Sequence, residues 1–196
     1  RKAFAAALVA EANVRALAQA LGYTESIQCS YVTLGREFIY TLQGTGSTVG
    51  AVTGTVKSYN STTDPVTVQL FKSGSSAAAY TTTVKGNTAS YTISGVTPGT
   101  YTMKVSKKNH VTREYTVSVT TGTKTQNAQI HLLGDVNLDG IVNIKDCSRL
   151  FKHVNTTQLL TDAYALKCAN TNGDSAVNIK DCSRLFKHVN TTQLLW

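Results

Sequence analysis

The sequence lacks several features that would place it in a familiar class of protein. No run approaches the roughly 20 consecutive apolar residues that a membrane-spanning helix needs, so we expect no membrane span. The four cysteines do not show the spacing of a zinc site, and both a disulfide and buried free thiols remain open for them. They are Cys29, Cys147, Cys168 and Cys182.

Patterns typical of catalysis and of nucleic-acid binding are also missing. Across residues 49–133 the only glutamate is Glu114, and His110 and His131 stand alone, so no nucleophile, base and orienting group come together. The net charge of +8 comes from scattered lysines and arginines, without a basic stripe or a stacking platform of aromatic side chains. We therefore expect neither catalysis by this chain nor a nucleic-acid partner.

What the sequence does contain is a 12-residue pattern that occurs twice in its last third. The first copy, DVNLDGIVNIKD, occupies Asp135–Asp146, and the second, NTNGDSAVNIKD, occupies Asn170–Asp181. Calcium-binding loops of this length take oxygen ligands from positions 1, 3, 5, 7, 9 and 12, which Asp and Asn fill here. The identical segment VNIKDCSRLFKHVNTTQLL ends both copies and continues beyond them, which argues against a metal-free turn.

The two loops predict two bound Ca²⁺ ions. The ligands are Asp135, Asn137, Asp139, the carbonyl of Ile141, Asn143 and Asp146 in the first loop, and Asn170, Asn172, Asp174, the carbonyl of Ala176, Asn178 and Asp181 in the second. We expect weaker binding by the second loop, because Asn170 replaces a carboxylate. We also expect a strained turn there, because Ser175 stands where Gly140 turns the first loop.

The residues that flank the loops distinguish them from an ordinary EF-hand, which has a helix on both sides and Glu at position 12. Position 12 is aspartate here, and alternating apolar residues before the first loop predict a strand. After each loop, apolar residues recur at helical spacing: Cys147, Leu150, Phe151 and Val154, then Cys182, Leu185, Phe186 and Val189. The equivalent cysteines are expected to face the core, and Thr161–Ala169 can form a short connecting helix.

In these residues the chain resembles the dockerin family, the calcium-dependent anchoring modules of cellulosomal proteins. The segments GDVNLDGIVNIKDCSRLFKHV and ANTNGDSAVNIKDCSRLFKHV are similar to its duplicated half-motifs. The resemblance covers residues 134–196 and implies a small all-α module with two EF-hand-like calcium loops that binds a cohesin module of a scaffolding protein. It also implies a secreted, extracellular or cell-surface complex that degrades polysaccharides, with the chain monomeric apart from its cohesin.

The resemblance assigns cohesin binding to loop positions 10 and 11 and to residues further along each helix. These residues are Ile144, Lys145, Phe151 and Lys152 in the first half, and Ile179, Lys180, Phe186 and Lys187 in the second. Ile-Lys replaces the Ser/Thr pair frequent in type I dockerins, so a cohesin of another specificity class is expected. Helical spacing leaves core packing open for the isoleucines and phenylalanines. The duplication predicts near two-fold symmetry and two binding orientations.

Upstream, residues 48–133 predict an antiparallel β-sandwich. Short Thr/Val/Tyr-rich runs with alternating apolar residues are separated by turn signals such as Pro98-Gly99. The stretch SGVTPGTYTMKVSKKNH resembles carboxypeptidase-regulatory-like, transthyretin-like domains, which implies a structural or accessory domain. Carbohydrate binding by exposed tyrosines remains open beside the alternative that they are core residues: Tyr59, Tyr80, Tyr91, Tyr101 and Tyr115.

Residues 1–47 predict an α+β remnant of an upstream domain, followed by a linker. We expect a helix over Ala3–Leu21 that ends at Gly22, one or two strands over Tyr31–Leu42, and a linker over Gln43–Thr48. Two alternatives accompany the anchoring function. The chain is the C-terminal fragment of a glycoside hydrolase or another secreted hydrolase, or it is a calcium-sensing EF-hand protein, which the missing entering helix and the aspartate at position 12 disfavour.

Overall fold

The N-terminal part of the chain contains a β-hairpin. The computed structural model describes residues 13, 16, 28–34, 37–43 and 49–196. Strands β1 (Gln28–Leu34) and β2 (Glu37–Gln43) pair antiparallel, so the segment predicted as one or two strands forms two. Asn13 and Ala16 are helical, whereas the rest of the expected Ala3–Leu21 helix, Gly22 and the linker after Gln43 lie outside the described residues.

Eight further strands form two four-stranded sheets. They are β3 (Gly50–Lys57), β4 (Pro65–Lys72), β5 (Tyr80–Lys85), β6 (Thr88–Val96), β7 (Gly99–Lys107), β8 (Arg113–Val119), β9 (Thr123–Thr125) and β10 (Ala128–Gln129). One sheet has the order β5-β4-β7-β8 with antiparallel pairs throughout. In the other, β3 pairs antiparallel with β6 and parallel with β9 and β10. The parallel pairs depart from the expected wholly antiparallel sandwich.

The core of the sandwich lies between the inward faces of the two sheets. Alternate residues of β4, among them Val66, Val68 and Leu70, are fully buried, and so are Met103 and Val105 of β7. Tyr91 and Tyr101 also belong to this cluster, and Tyr80 and Tyr115 pack partly against it. Period-two burial of apolar residues is what one face of a half-buried strand requires.

The C-terminal module contains three helices, α1 (Ile144–Val154), α2 (Ala163–Ala169) and α3 (Ile179–Val189). Within the described residues the first loop has no helix before it, because β10 and an isolated bridge between His110 and Leu132 lead into it. Leu150 of α1 and Leu185 of α3 are fully buried in one cluster with Val136 and Leu195. The expected fold class, a β-sandwich followed by a small all-α module, is confirmed.

Substitution of Gly54 should reveal how closely the backbone at Gln126 packs on β3. A Cβ atom at Gly54 would lie 2.0 Å from the carbonyl oxygen of Gln126, which is backbone and cannot move aside cheaply. We expect Gly54→Ala to lower the free energy of unfolding by about 1–3 kcal/mol in urea denaturation. The control is Gly122→Ala, because no atom lies within 4 Å of a Cβ there. Equal stability of the two variants would contradict this packing.

Candidate calcium loops and docking groove

The last aspartate of the first loop connects the loop to its helix. The side chain of Asp146 is fully buried. Its Oδ1 accepts hydrogen bonds from the backbone N–H groups of Val136 and Asn137, at 2.8 and 3.1 Å, and its Oδ2 accepts from Asn143 at 2.9 Å. Asn143 in turn accepts from the N–H of Lys145, and Asn143 and Asp146 form a capping box at the start of α1. One carboxylate thus fixes both the bend of the loop and the helix start.

The side-chain oxygens of Asp135, Asn137 and Asp139 accept hydrogen bonds from backbone N–H groups of the first loop. Asp135 is fully buried, and its two oxygens accept from the N–H groups of Asp139 and Gly140 at 3.1 and 2.9 Å. The Oδ1 atoms of Asn137 and Asp139 accept from backbone N–H groups two residues later, at 3.0 and 2.9 Å. The predicted ligands of this loop are therefore gathered by one hydrogen-bond network, apart from the carbonyl of Ile141.

The second loop repeats most of these contacts. Asp181 is fully buried, and its carboxylate accepts from Asn172 at 3.2 Å and from Asn178 at 2.9 Å. Asn172 and Asp174 accept from N–H groups two residues later, both at 2.9 Å. Asn178 caps α3, and its amide also donates to the carbonyl of Ala176 at 3.2 Å. The second loop thus repeats the buried closing carboxylate and the helix cap of the first.

The strain expected at Ser175 is absent, and that expectation was wrong. The first loop takes its left-handed conformations at Leu138 and Gly140, with φ of 60° and 97°. In the second loop Gly173 takes the left-handed conformation, with φ of 73°, and Ser175 does not have a positive φ. A serine is therefore accommodated without strain. Only the neutral side chain of Asn170 still predicts weaker ion binding.

The chemistry of both loops fits a hard cation. The inward side chains are carboxylates and amides, so the available donors are oxygen atoms, as Ca²⁺ requires. Burial raises the pKa of Asp146, even though three backbone N–H groups favour its ionised form. Among the described residues no three His, Cys, Asp or Glu side chains gather as a metal centre. Any cation held by either loop would also need amide and carbonyl oxygens as ligands.

An apolar groove runs between α1 and α3. It has a volume of about 380 Å³ and is lined by the same four residues from each half, Ile144, Cys147, Ser148 and Phe151 with Ile179, Cys182, Ser183 and Phe186. The isoleucines are each 57% exposed, and Phe151 and Phe186 are 55% and 53% exposed. The core alternative, which the sequence left open for these residues, is therefore excluded. Leu150 and Leu185 fill the core instead.

In each of α1 and α3 a lysine follows the groove isoleucine and another follows the groove phenylalanine. The four lysines predicted to bind a partner, Lys145, Lys152, Lys180 and Lys187, are all exposed. Arg149 is tied down, because its guanidinium donates to the carbonyls of Gln158 and Leu159 at 2.7 and 3.0 Å. The Nε atom of the equivalent Arg184 is buried and has no hydrogen-bond partner among the described residues. The two halves therefore offer the same apolar groove residues and the same exposed lysines.

The cysteines of the helical module are free thiols. Cys147, Cys168 and Cys182 are buried, and no disulfide joins them. Burial raises the pKa of Cys147 to about 11 and that of Cys168 to about 12, so both thiols stay protonated and unreactive at neutral pH. The side chain of Cys29 lies outside the description. Cys147 and Cys182 both face the core and form part of the groove floor.

The tyrosines of the sandwich are placed for packing. Tyr91 and Tyr101 are buried, and the hydroxyl of Tyr91 donates to the carbonyl of Gln126 at 2.7 Å. Tyr80 packs edge-on against Tyr101, at 5.9 Å between ring centroids. These contacts favour the core interpretation over a flat carbohydrate platform.

None of the helices described is both long and apolar enough to cross a membrane.

The sandwich and the helical module are joined by polar contacts that the sequence did not reveal. The hydroxyl of Tyr164 on α2 accepts from the N–H of His131 at 2.9 Å and donates to the carbonyl of Val111 at 2.6 Å. Burial raises the pKa of Tyr164, so the hydroxyl keeps the proton that it donates. The guanidinium of Arg113 lies 4.4 Å from the centroid of the Tyr164 ring. No sequence pattern links positions so far apart.

Comparison with known families divides the chain at the same junction. Residues 133–190 match the family model of the dockerin type I domain. Residues 50–133 match the second beta sandwich domain of BOS complex subunit NOMO1-like proteins. The recognition of a dockerin that follows a β-sandwich is therefore confirmed. No curated protein is significantly similar to this chain.

Solved structures resemble the chain only loosely. Two mutant type II Cohesin-X-Dockerin complexes from Acetivibrio cellulolyticus contain a chain that is 26% and 25% identical, respectively. Each likeness covers 70% of this chain and 94% of the other, at a TM-score of 0.35. A putative carbohydrate binding protein from Bacteroides uniformis is 14% identical over 43% of this chain and 42% of its own, at a TM-score of 0.29. Such TM-scores do not establish a shared arrangement.

Removal of the Tyr164 hydroxyl should weaken the connection between the two modules. Tyr164→Phe keeps the ring but leaves the buried N–H of His131 without its partner. We expect the free energy of unfolding to fall by about 1–3 kcal/mol in urea denaturation. Tyr80→Phe is the control, because its hydroxyl bonds exposed Thr97 and should matter less. Equal losses of unfolding free energy in the two variants would show that the hydrogen bonds of Tyr164 stabilise the chain no more than those of Tyr80.

Proposed function

We propose, since residues 133–190 form a dockerin type I domain, that this chain is an anchoring module that binds a cohesin on a scaffolding protein. The observation that carries the proposal is the apolar groove between α1 and α3. Four large apolar side chains there are more than half exposed, although the same helices bury Leu150 and Leu185 completely. Exposed apolar side chains that cluster in a groove are typical of a protein-binding surface.

The energetics of such a small surface favour a few anchors over a large contact area. Truncation of a central apolar anchor in a protein interface typically costs about 2 kcal/mol or more. Phe151 and Phe186 provide two such anchors, and Ile144 and Ile179 lie beside them in the groove. The exposed lysines contribute mainly to the rate of association and to the choice of an acidic partner. We therefore propose a cohesin with an apolar patch surrounded by carboxylates.

Calcium is part of this proposal. The oxygens of Asp135, Asn137, Asp139, Asn143 and Asp146 would hold one ion together with a carbonyl, and their counterparts in the second loop would hold another. A bound divalent cation supplies positive charge beside the buried carboxylates. The chain's own contribution is to orient these oxygens and to begin each helix at the loop exit. The groove thus depends on both loops, because each loop places its isoleucine.

The setting that we propose is a secreted complex that degrades polysaccharides. Dockerin type I domains are generally calcium-binding parts of such extracellular complexes, and the groove provides the attachment surface. We propose no catalytic role for the sandwich, whose buried polar side chains are those of Ser58, Lys107 and His131. A calcium sensor is disfavoured because no helix among the described residues enters the first loop.

The identity of the two halves leads to a prediction for cohesin binding. Ile144→Ala with Phe151→Ala removes the anchors of one half, and Ile179→Ala with Phe186→Ala is the matched variant of the other. If the cohesin can bind in two orientations, either pair of substitutions should weaken binding less than tenfold, because the intact half takes over. All four together should weaken it at least about a hundredfold.

The measurement is calorimetric titration against a panel of type I and type II cohesin modules in millimolar calcium. Circular dichroism of each variant serves as the control for folding. If one pair of substitutions abolishes binding as completely as all four do, the two-orientation hypothesis is wrong. If the four substitutions together leave every affinity unchanged, the groove is not the docking surface.

Removal of calcium should unfold the helices but spare the sandwich. Without the ion, Asp146 and Asp181 remain buried as uncompensated carboxylates, which is costly. We expect chelator to abolish most of the helical circular dichroism and to leave the strand signal, and excess calcium to restore the helices. A calorimetric scan should then show one transition lost and one retained. Helices that persist fully in chelator would contradict the calcium-dependent folding.

A further inference from the structure

The two calcium loops, which are so alike in sequence, lie in different surroundings. The first loop packs against the sandwich, whereas Gly173, Asp174 and Ser175 of the second loop are exposed. A Cβ atom added at Gly173 would meet nothing within 4 Å. A Cβ atom at Gly140 would lie 2.1 Å from Cε1 of Tyr59. The aromatic ring of a sandwich residue therefore covers the turn of the first loop.

Gly140 is required at this turn for two separate reasons. Its φ of 97° is unfavourable for any residue with a side chain. The Tyr59 ring also fills the space that a side chain at this position would need, because Cδ1 and Cζ of the ring lie 2.4 and 2.7 Å from the position of a Cβ atom. The closeness of this contact leaves the loop little room to move while the ring stays in place.

Tyr59 is itself fixed on several sides by the sandwich. Its hydroxyl accepts from Nε2 of Gln129 at 2.6 Å, and its backbone N–H donates to Nε2 of His110 at 3.1 Å. Its carbonyl accepts from the buried ammonium group of Lys107 at 3.2 Å. The ring also packs against His131, with 5.0 Å between centroids. The cover over the first loop is thus a rigid part of the sandwich.

His131 makes the second connection between the sandwich and the loop. Its Nδ1 atom lies 2.7 Å from Oδ2 of Asp135, the first predicted ligand, and both side chains are almost completely buried. The backbone of His131 is anchored through Tyr164 and through a 2.9 Å hydrogen bond from the N–H of Val111 to its carbonyl. The side chain of the equivalent Asn170 bonds within its own loop, to Gly173 and Asp174, and to no sandwich residue among those described.

We infer that the β-sandwich completes the first calcium site, with Tyr59 and His131 as positioning residues that hold its turn and its first carboxylate. This inference rests on the proposed calcium binding. Groups that orient metal ligands from outside the coordination sphere typically change metal affinity 10- to 100-fold when they are removed. The first site is therefore the tighter one, and because linkage is reciprocal, its ion stabilises the sandwich as well.

The two sites can be measured separately in the full chain. Asp174→Ala silences the second loop, so that titration reports the first, and Asp139→Ala does the reverse. We expect Tyr59→Ala to weaken calcium binding about tenfold in the Asp174→Ala background. In the Asp139→Ala background the same substitution should change the affinity less than twofold, because Tyr59 covers only the first loop. The readout is calorimetric titration with calcium alone.

Matched variants separate the role of the ring from general destabilisation. Tyr59→Phe keeps the ring over Gly140 and should retain the affinity of the first site within about threefold. Tyr80→Ala removes another half-buried tyrosine of the sandwich, whose hydroxyl bonds Thr97, and should leave both sites unchanged. His131→Phe keeps a ring beside Tyr59 but removes the hydrogen bond to Asp135, and it should weaken the first site at least tenfold. It also provides a test if Tyr59→Ala does not fold.

The possible outcomes distinguish this inference from the function on which it rests. If neither background binds calcium, the proposed calcium function fails and the inference fails with it. If the first site binds calcium but Tyr59→Ala and His131→Phe leave its affinity unchanged, only the inference is overturned. Equal weakening of both sites by Tyr59→Ala would also overturn it, because the effect would then be global. Selective weakening of the first site supports it.

Discussion

The buried aspartate that closes each loop is the constraint on which the helical module depends. Asp146 and Asp181 each accept backbone hydrogen bonds from the start of their own loop and from the residue that caps the following helix. A buried carboxylate is costly unless its charge is compensated. The interaction that shapes the loop therefore also creates the need for a cation. The position of each helix, and hence of each isoleucine at the groove, follows from that one side chain.

The groove is a consequence of packing two identical helices around one core. Leu150 and Leu185 meet inside, and Phe151 and Phe186, one residue further along, are left on the surface. The sandwich breaks this symmetry without covering the groove, because equivalent groove residues are equally exposed in both halves. Its contacts go to the first loop and to α2 instead. The symmetric docking surface that we propose is therefore compatible with two unequal proposed ion sites.

Much of the fold could be predicted because its signals are local. The loops, the helix starts and the alternating strands depend on residues within a few positions of one another, and they lie close to where the patterns indicated. The predictions that were wrong depended on conformation that spacing does not encode. Ser175 is unstrained because its φ is not positive, unlike that of the equivalent Gly140. The parallel pairing of β9 and β10 with β3 arises from contacts over about 70 residues. The individual metal ligands and cohesin contacts stay predictions.

The sequence by itself determined the duplicated loops, the oxygen character of their side chains and the division into a sandwich and a helical module. It could do so because residue type and spacing set hydrogen bonds and amphipathic faces locally. Only the tertiary structure decided which apolar helix residues are buried, since helical spacing suits a core and a groove equally well. Only the tertiary structure also placed Tyr59 over Gly140, because no local sequence pattern relates residues of two different modules.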